Sequence, residues 1–159
     1  MEKYFKDLNV KLWSGFAVIL DVDGTLTADG GTDPGSAVLA KILELKENNS
    51  VFLSTNKKDF NRNAEISRRL NTQFLSTIFH KPDARVAQSL PPALRPTIVV
   101  VGDKFVTDGL LARNLKAKFV KVKRIVSPRD SLTNKLIYFV DDILYALIGK
   151  KLLQKFELK

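Results

Sequence analysis

Five apolar residues, Phe16-Ala17-Val18-Ile19-Leu20, run straight into Asp21-Val22-Asp23-Gly24-Thr25-Leu26-Thr27. An uninterrupted run of this length reads as a parallel strand buried on both faces. Such a strand needs flanking strands and crossover helices, which commits the chain to an α/β architecture. Open α/β sheets place their chemistry at the carboxyl ends of the strands, and Asp21 and Asp23 stand at that end here. Residues two apart share one side of an extended chain, and Gly24 admits a sharp turn after them. Two carboxylates this close resist joint ionisation unless a cation lies between them or they share a proton. The pair suits a Mg²⁺-assisted reaction with one Asp as nucleophile and the other as acid/base. The plainer alternative is a turn, since Asp, Gly and Thr are common turn residues; the complete string after a hydrophobic strand favours chemistry.

Strand and helix patterns alternate along the rest of the chain. A loop from Ala28 to Asp33 leads to Pro34, a first-turn residue, and a helix follows with Val38, Leu39, Ile42 and Leu45 on one face. Val51 to Ser54 is the second strand, and Lys57 to Leu70 a polar helix anchored by Phe60, Ala64, Ile66 and Leu70. Phe74 to Phe79 reads as a third strand or extended segment, and Pro82 opens a helix to about Ser89. The β-branched run Thr97 to Val101 is the clearest central strand. Val106 to Leu115 is helical, and Phe119 to Lys123 alternates apolar and basic residues like a less buried strand. From Leu132 to Phe156, Leu136, Ile137, Val140, Ile143, Leu144, Leu147 and Ile148 recur at helical spacing, with Lys150, Lys151, Lys155 and Lys159 crowding the end. Docking of this helix on the sheet is favoured over contact with an anionic membrane. The expectation is one domain over residues 1–159, with a Rossmann-like, mainly parallel sheet, flanking helices and a C-terminal amphipathic helix.

The chain has no cysteine, which excludes disulfides and thiolate metal sites, and His80 is its only histidine, which excludes a multi-histidine site. A metal here must take oxygen ligands, favouring Mg²⁺ over Zn²⁺. The formal net charge of +9 favours an anionic partner, whether a phosphate ester, nucleic acid or anionic lipid, although it also serves general solubility. The amino-terminal residues lack the apolar core of a signal peptide and no apolar run reaches spanning length, so the expected location is cytoplasmic, peripheral at a membrane where it meets one.

Three further polar groups fall at strand ends. Ser54-Thr55-Asn56 follows the second strand, where a hydroxyl and nearby N–H groups can meet a phosphoryl oxygen, or simply cap a helix. Lys81, beside His80 and before Pro82, places an ammonium where phosphoryl charge develops; alone it reads as one more solvated lysine. Gly102-Asp103 closes the β-branched strand, with Asp108 five residues on. Asp103 is placed as a further Mg²⁺ ligand, and Asp108 to orient Lys81 or a metal-bound water.

Taken together, these residues resemble the four motifs of the haloacid dehalogenase phosphohydrolase superfamily: Asp21 to Thr27, then Thr55 (or Ser54) with Asn56, then Lys81 in Lys-Pro, then Gly102 to Asp108 in a Gly-Asp-x-x-x-x-Asp pattern. The resemblance implies an aspartyl-phosphate mechanism in which Asp21 is the nucleophile and Asp23 the acid/base. Mg²⁺ would be held by Asp21, the Asp23 carbonyl and Asp103, with Thr55 and Lys81 catalytic, Asp108 supporting, and Ser54 and Asn56 as phosphate contacts. The segments 27–34 and 70–81 are too short for a folded cap domain, so the resemblance implies an open site and a bulky phosphorylated substrate. Compact size, Lys-Pro-Asp, Gly-Asp-Lys-Phe-Val-Thr-Asp-Gly and the basic tail are similar to the YqeG-like group of capless subfamily IIIA, which includes phosphatidylglycerophosphate phosphatases. The expected function is therefore a Mg²⁺-dependent phosphomonoester phosphatase, with phosphatidylglycerophosphate as the specific substrate. A nucleic-acid end phosphatase and a non-catalytic binding domain are the alternatives.

Overall fold

A computed structural model describes residues 2–128 and 130–153. Four strands, β1 (Ala17–Asp21), β2 (Ser50–Ser54), β3 (Ile98–Gly102) and β4 (Lys118–Lys121), form one sheet in the order β2-β1-β3-β4, with every pairing parallel. The α-helices are α1 (Gly35–Lys46), α2 (Phe60–Leu70), α3 (Leu110–Leu115), α4 (Leu132–Leu144) and α5 (Lys150–Leu153). The result is an α/β fold, its parallel sheet flanked by helices, compatible with a Rossmann-like architecture.

The apolar runs alternate between two cores, as period-2 side chains must. Val18, Leu20, Val99 and Val101 face one side, against Val38, Ile42 and Leu45 of α1, Ile66 and Leu70 of α2, and Phe5, Val10 and Trp13 of the amino-terminal segment. Ala17, Ile19, Ile98 and Val100 face the other, against Val86, Ala87, Leu90, Leu111 and Ala112. Both faces are thus covered, which explains the continuous apolar strands. β4 is half-buried along its length and carries lysines at both ends, as an edge strand does.

Several elements differ from the pattern reading. Phe74–Phe79 is no strand: Leu53 N–H donates to the Gln73 carbonyl and Leu75 N–H to the Leu53 carbonyl, both at 2.9 Å, and the pairing stops there. The helix expected from Pro82 is a 3₁₀ segment, Ala84–Ser89, capped by the Asp83 side chain, and the Lys81–Pro82 peptide is cis. α2 begins at Phe60, because the Asp59 carboxylate caps it by accepting from Arg62 N–H. Phe60 itself is exposed and anchors nothing. Asp108 sits in a wide, π-helical turn, Phe105–Gly109, that runs on into α3. A second such turn, Tyr145–Gly149, joins α4 to α5. The expected end of the last helix, residues 154–156, and Lys155 and Lys159 lie outside the described residues.

The largest difference is the orientation of α4. Its apolar residues do not dock on the sheet. The buried positions are Tyr138 and Asp141, and Leu136, Phe139, Val140 and Ile143 are exposed. Asp141 accepts hydrogen bonds from the backbone N–H groups of Phe105 (3.0 Å) and Val106 (2.8 Å), so the helix is fastened by its polar side.

Candidate active site

All strands being parallel, their carboxyl ends share one edge. Chain order reverses direction between β1 and β3, since β2 lies on one side of β1 and β3 on the other; open sheets bind ligands in that crevice. Asp21 ends β1 and Asp103 follows β3, so both carboxylates lie at the switch point.

Two glycines let the carboxylates approach. Gly24 has φ +88°, and a Cβ there would come within 2.6 Å of Asp103 Oδ2. A Cβ on Gly102 would lie 2.3 Å from Asp108 Cγ. Any side chain at either position would displace a carboxylate. One carboxylate oxygen from each of Asp21, Asp103 and Asp108 lies within 4.8 Å of the others. Thr25 Oγ1 lies 3.1 Å from Asp21 Oδ2 and 3.3 Å from Asp103 Oδ1, and its single proton serves one of them at a time.

Lys81 reaches the same cluster. Its buried ammonium donates to Asp21 Oδ1, to Asp108 Oδ1 at 2.7 Å and to the Ser54 carbonyl at 3.3 Å. Burial alone would lower the Lys81 pKa, but Asp108 and Asp21 more than reverse this and hold the ammonium above the ordinary lysine range. Burial pushes the Asp21 carboxyl up; Lys81 opposes that rise and Asp103 adds to it. Burial likewise raises Asp108, against the pull of Lys81.

Asp23 has a different setting. It is buried, but Oδ1 accepts from Gly30 N–H (2.9 Å) and Arg62 Nη2 (2.8 Å), and Oδ2 from Thr55 Oγ1 (3.0 Å) and Arg62 Nη1 (3.3 Å). Against the upward pull of burial, the Gly30 bond, Arg62, Lys57 and Thr55 hold its carboxyl below the usual range. Burial thus pushes Asp21 up while its partners pull Asp23 down, so the two neighbouring carboxyls shift in opposite directions.

The polar residues after β2 divide their tasks. Thr55 turns its hydroxyl to Asp23 and also accepts from Lys57 N–H at 3.1 Å. Ser54 offers its carbonyl to Lys81. Asn56, expected as a phosphate contact, has its amide on the Lys81 backbone instead: Nδ2 donates to the Lys81 carbonyl (2.9 Å) and Oδ1 accepts from Lys81 N–H (2.8 Å). It positions Lys81. His80 is exposed. Asp108 Oδ1 accepts from the Lys81 ammonium, while Oδ2 accepts from Lys104 N–H at 3.2 Å.

The donor set tests the fit of a divalent cation. It consists of hard oxygen atoms, which suit Mg²⁺ or Ca²⁺ rather than Zn²⁺. Lys104 Nζ donates to the Asp23 carbonyl at 3.2 Å and lies 3.7 Å from Asp103 Oδ1, so a cationic group sits against two of the expected metal-binding oxygens. These positions accept positive charge, and the converging carboxylates of Asp21, Asp103 and Asp108 could hold such an ion.

Sequence reasoning missed Thr25, Arg62, Lys104 and Arg124, the last of which pairs with Asp103 and, at 3.3 Å, with Asp141. Arg62 did leave a signal. With Ile66 and Leu70 it falls at i, i+4 and i+8, in the buried stripe of α2, where an arginine requires a carboxylate. Comparison with family models, curated proteins and solved structures gives no match to this chain.

Proposed function

We propose that the protein is a Mg²⁺-dependent phosphomonoester phosphatase of the haloacid dehalogenase type, acting through an aspartyl phosphate. The observation that carries this reading is the meeting of Asp21, Asp103, Asp108 and the Lys81 ammonium at the carboxyl edge of the sheet, with Asp23 held in a separate environment beside them. The short Thr27–Pro34 connection supports a capless site.

Asp21 Oδ attacks phosphorus, and the bond from phosphorus to the substrate oxygen breaks. Asp23 supplies the proton to the departing alkoxide, then takes one from the water that attacks the acyl phosphate. The water oxygen bonds to phosphorus as the bond between phosphorus and Asp21 Oδ breaks, which frees inorganic phosphate and regenerates the Asp21 carboxylate. Lys81 holds Asp21 in place and offsets phosphoryl charge, while Thr55 orients Asp23. Mg²⁺, held by Asp21, the Asp23 carbonyl and Asp103, would supply charge neutralisation at the phosphoryl oxygens.

A groove of about 570 Å³ opens beside Thr55, lined among others by Lys57, Lys58, Phe60, Ile78 and His80. Cationic and apolar groups together suit a phosphate on an amphipathic carrier, in keeping with a lipid phosphate such as phosphatidylglycerophosphate. The test is phosphate release across lipid, sugar, nucleotide and protein phosphates, with Mg²⁺ and with chelator. Mg²⁺-dependent turnover that Asp21→Asn abolishes is the expected result. Turnover retained by Asp21→Asn removes the proposed nucleophile, and turnover confined to another ester class removes the lipid assignment.

A further inference from the structure

α4 is amphipathic in the reverse sense to a docked surface helix. Its inward side is polar: Asp141 is 1% exposed and bound to two backbone N–H groups and to Arg124. Tyr138 packs under Arg124, whose guanidinium carbon lies 4.3 Å from the ring centre. Its outward side is a stripe of Leu132, Leu136, Phe139, Ile143 and Leu147, which are 84%, 62%, 63%, 41% and 66% exposed. These residues recur every three or four positions, so they form one continuous apolar face. A contiguous patch of this kind on a soluble surface marks an interaction site.

We propose that this face lies on an anionic phospholipid bilayer, with the helix in the plane of the interface. Charge favours a bilayer over a second copy of the chain. The net charge is +9, and on the helical segment that carries the stripe exposed Lys135 and Lys151 outnumber exposed Asp142. Two copies facing each other would oppose like charges, whereas an anionic lipid surface attracts them as the apolar side chains enter the acyl boundary. No helix among the described residues is long and apolar enough to cross a membrane, so the segment lies on the surface. The helix start is also tied to the candidate site. Asn134 Nδ2 donates to Asp29 Oδ2 at 3.0 Å, Asp29 Oδ1 is 3.0 Å from Lys57 Nζ, and Lys57 Nζ is 3.5 Å from Asp23 Oδ1. Docking through α4 would therefore hold the site beside the lipid headgroups. That consequence for substrate access rests on the phosphatase reading; the docking itself does not.

The experiment is flotation of the full chain with phosphatidylcholine vesicles, with and without phosphatidylglycerol, at low and high salt, alongside a sizing measurement without lipid. The chain should float with the anionic vesicles, more weakly as salt rises. The double substitution Leu136→Ser/Phe139→Ser should weaken partitioning on the order of a hundredfold, as expected for two large apolar groups no longer buried. Hydrolysis of the soluble substrate p-nitrophenyl phosphate should be unchanged, which shows that the variant is folded. A wild type that fails to float overturns the proposal. So does equal flotation of the double variant, or a lipid-free dimer that the same substitutions dissolve. Flotation lost in the variant without any phosphatase turnover in the wild type removes the enzymatic reading and leaves the docking face, with circular dichroism then reporting the fold.

Discussion

Replacing Lys81 with Met removes a buried ammonium and keeps most of its bulk. The side chain is 3% exposed and pairs with Asp108, which is fully buried, and Asp21, which is 8% exposed. Deleting one partner of a buried ion pair costs about 3–5 kcal/mol, mostly through the charge left behind. Native stabilities run at about 5–15 kcal/mol, so this is a large fraction. At roughly 2–4 °C per kcal/mol for a chain of this size, the melting temperature should fall by about 6–20 °C. The loss should depend on pH in a definite direction. Burial already raises Asp21 and Asp108 in the folded protein, and without Lys81 they rise further. Groups whose folded pKa is raised favour folding below their unfolded value, about 4 for a carboxyl, and lose that contribution as pH climbs through the folded value. The gap between wild type and variant should therefore be widest at neutral pH and narrow towards pH ~4. Urea denaturation in chelator, repeated across that range, measures it. Adding Asp21→Asn to Lys81→Met should recover part of the stability, because one orphaned charge is gone. A loss below about 1 kcal/mol at neutral pH, or a loss independent of pH, would refute the electrostatic account of this cluster.

Arg62→Met should raise the Asp23 pKa, since the arginine helps hold that carboxyl down. In the proposed mechanism, formation of the aspartyl phosphate governs kcat/KM and needs Asp23 protonated, so the alkaline limb of the pH profile should move to higher pH; an unmoved limb counts against Asp23 as the acid. In the wild type, the depressed Asp23 pKa contributes stability above its unfolded value that is lost as pH falls through the folded one, and Arg62→Met should flatten that acid-side loss in thermal melts. Lys104→Gln should tighten Mg²⁺ binding in calorimetry by roughly tenfold, the scale of repulsion between an ammonium and a divalent ion a few ångströms apart; unchanged affinity would mean that Lys104 does not compete for those oxygens. Gly102→Ala should destabilise by roughly 1–3 kcal/mol, since its Cβ would meet Asp108, and should reduce phosphatase turnover more than stability alone explains.

The sheet and the strand-end carboxylates were legible because their signals are local. Apolar runs marked three strands, and each ends where Asp21, Ser54 or Asp103 begins its work. Lys81 stood out only through its company, and its pairing with Asp21 and Asp108 spans 60 and 27 residues of chain. Arg124 reaches Asp103 across 21 residues and Arg62 reaches Asp23 across 39; no periodicity encodes such contacts. The 74–79 segment has strand-like composition, but only its first residues find a partner beside Leu53. In α4, spacing identified the apolar face but not which way it points. That was decided by Asp141, a single carboxylate with two N–H groups to satisfy.

The wide turn from Phe105 to Gly109 is gripped from both sides. Asp141 holds its first two N–H groups, while Asp108, three residues further along, reaches back to Lys81. α4 cannot swing outward without stranding those amides, and the strain would arrive at the ammonium that steadies Asp21. Whatever tugs on the helix thus pulls, through one short rigid lever, on the group proposed to attack phosphorus.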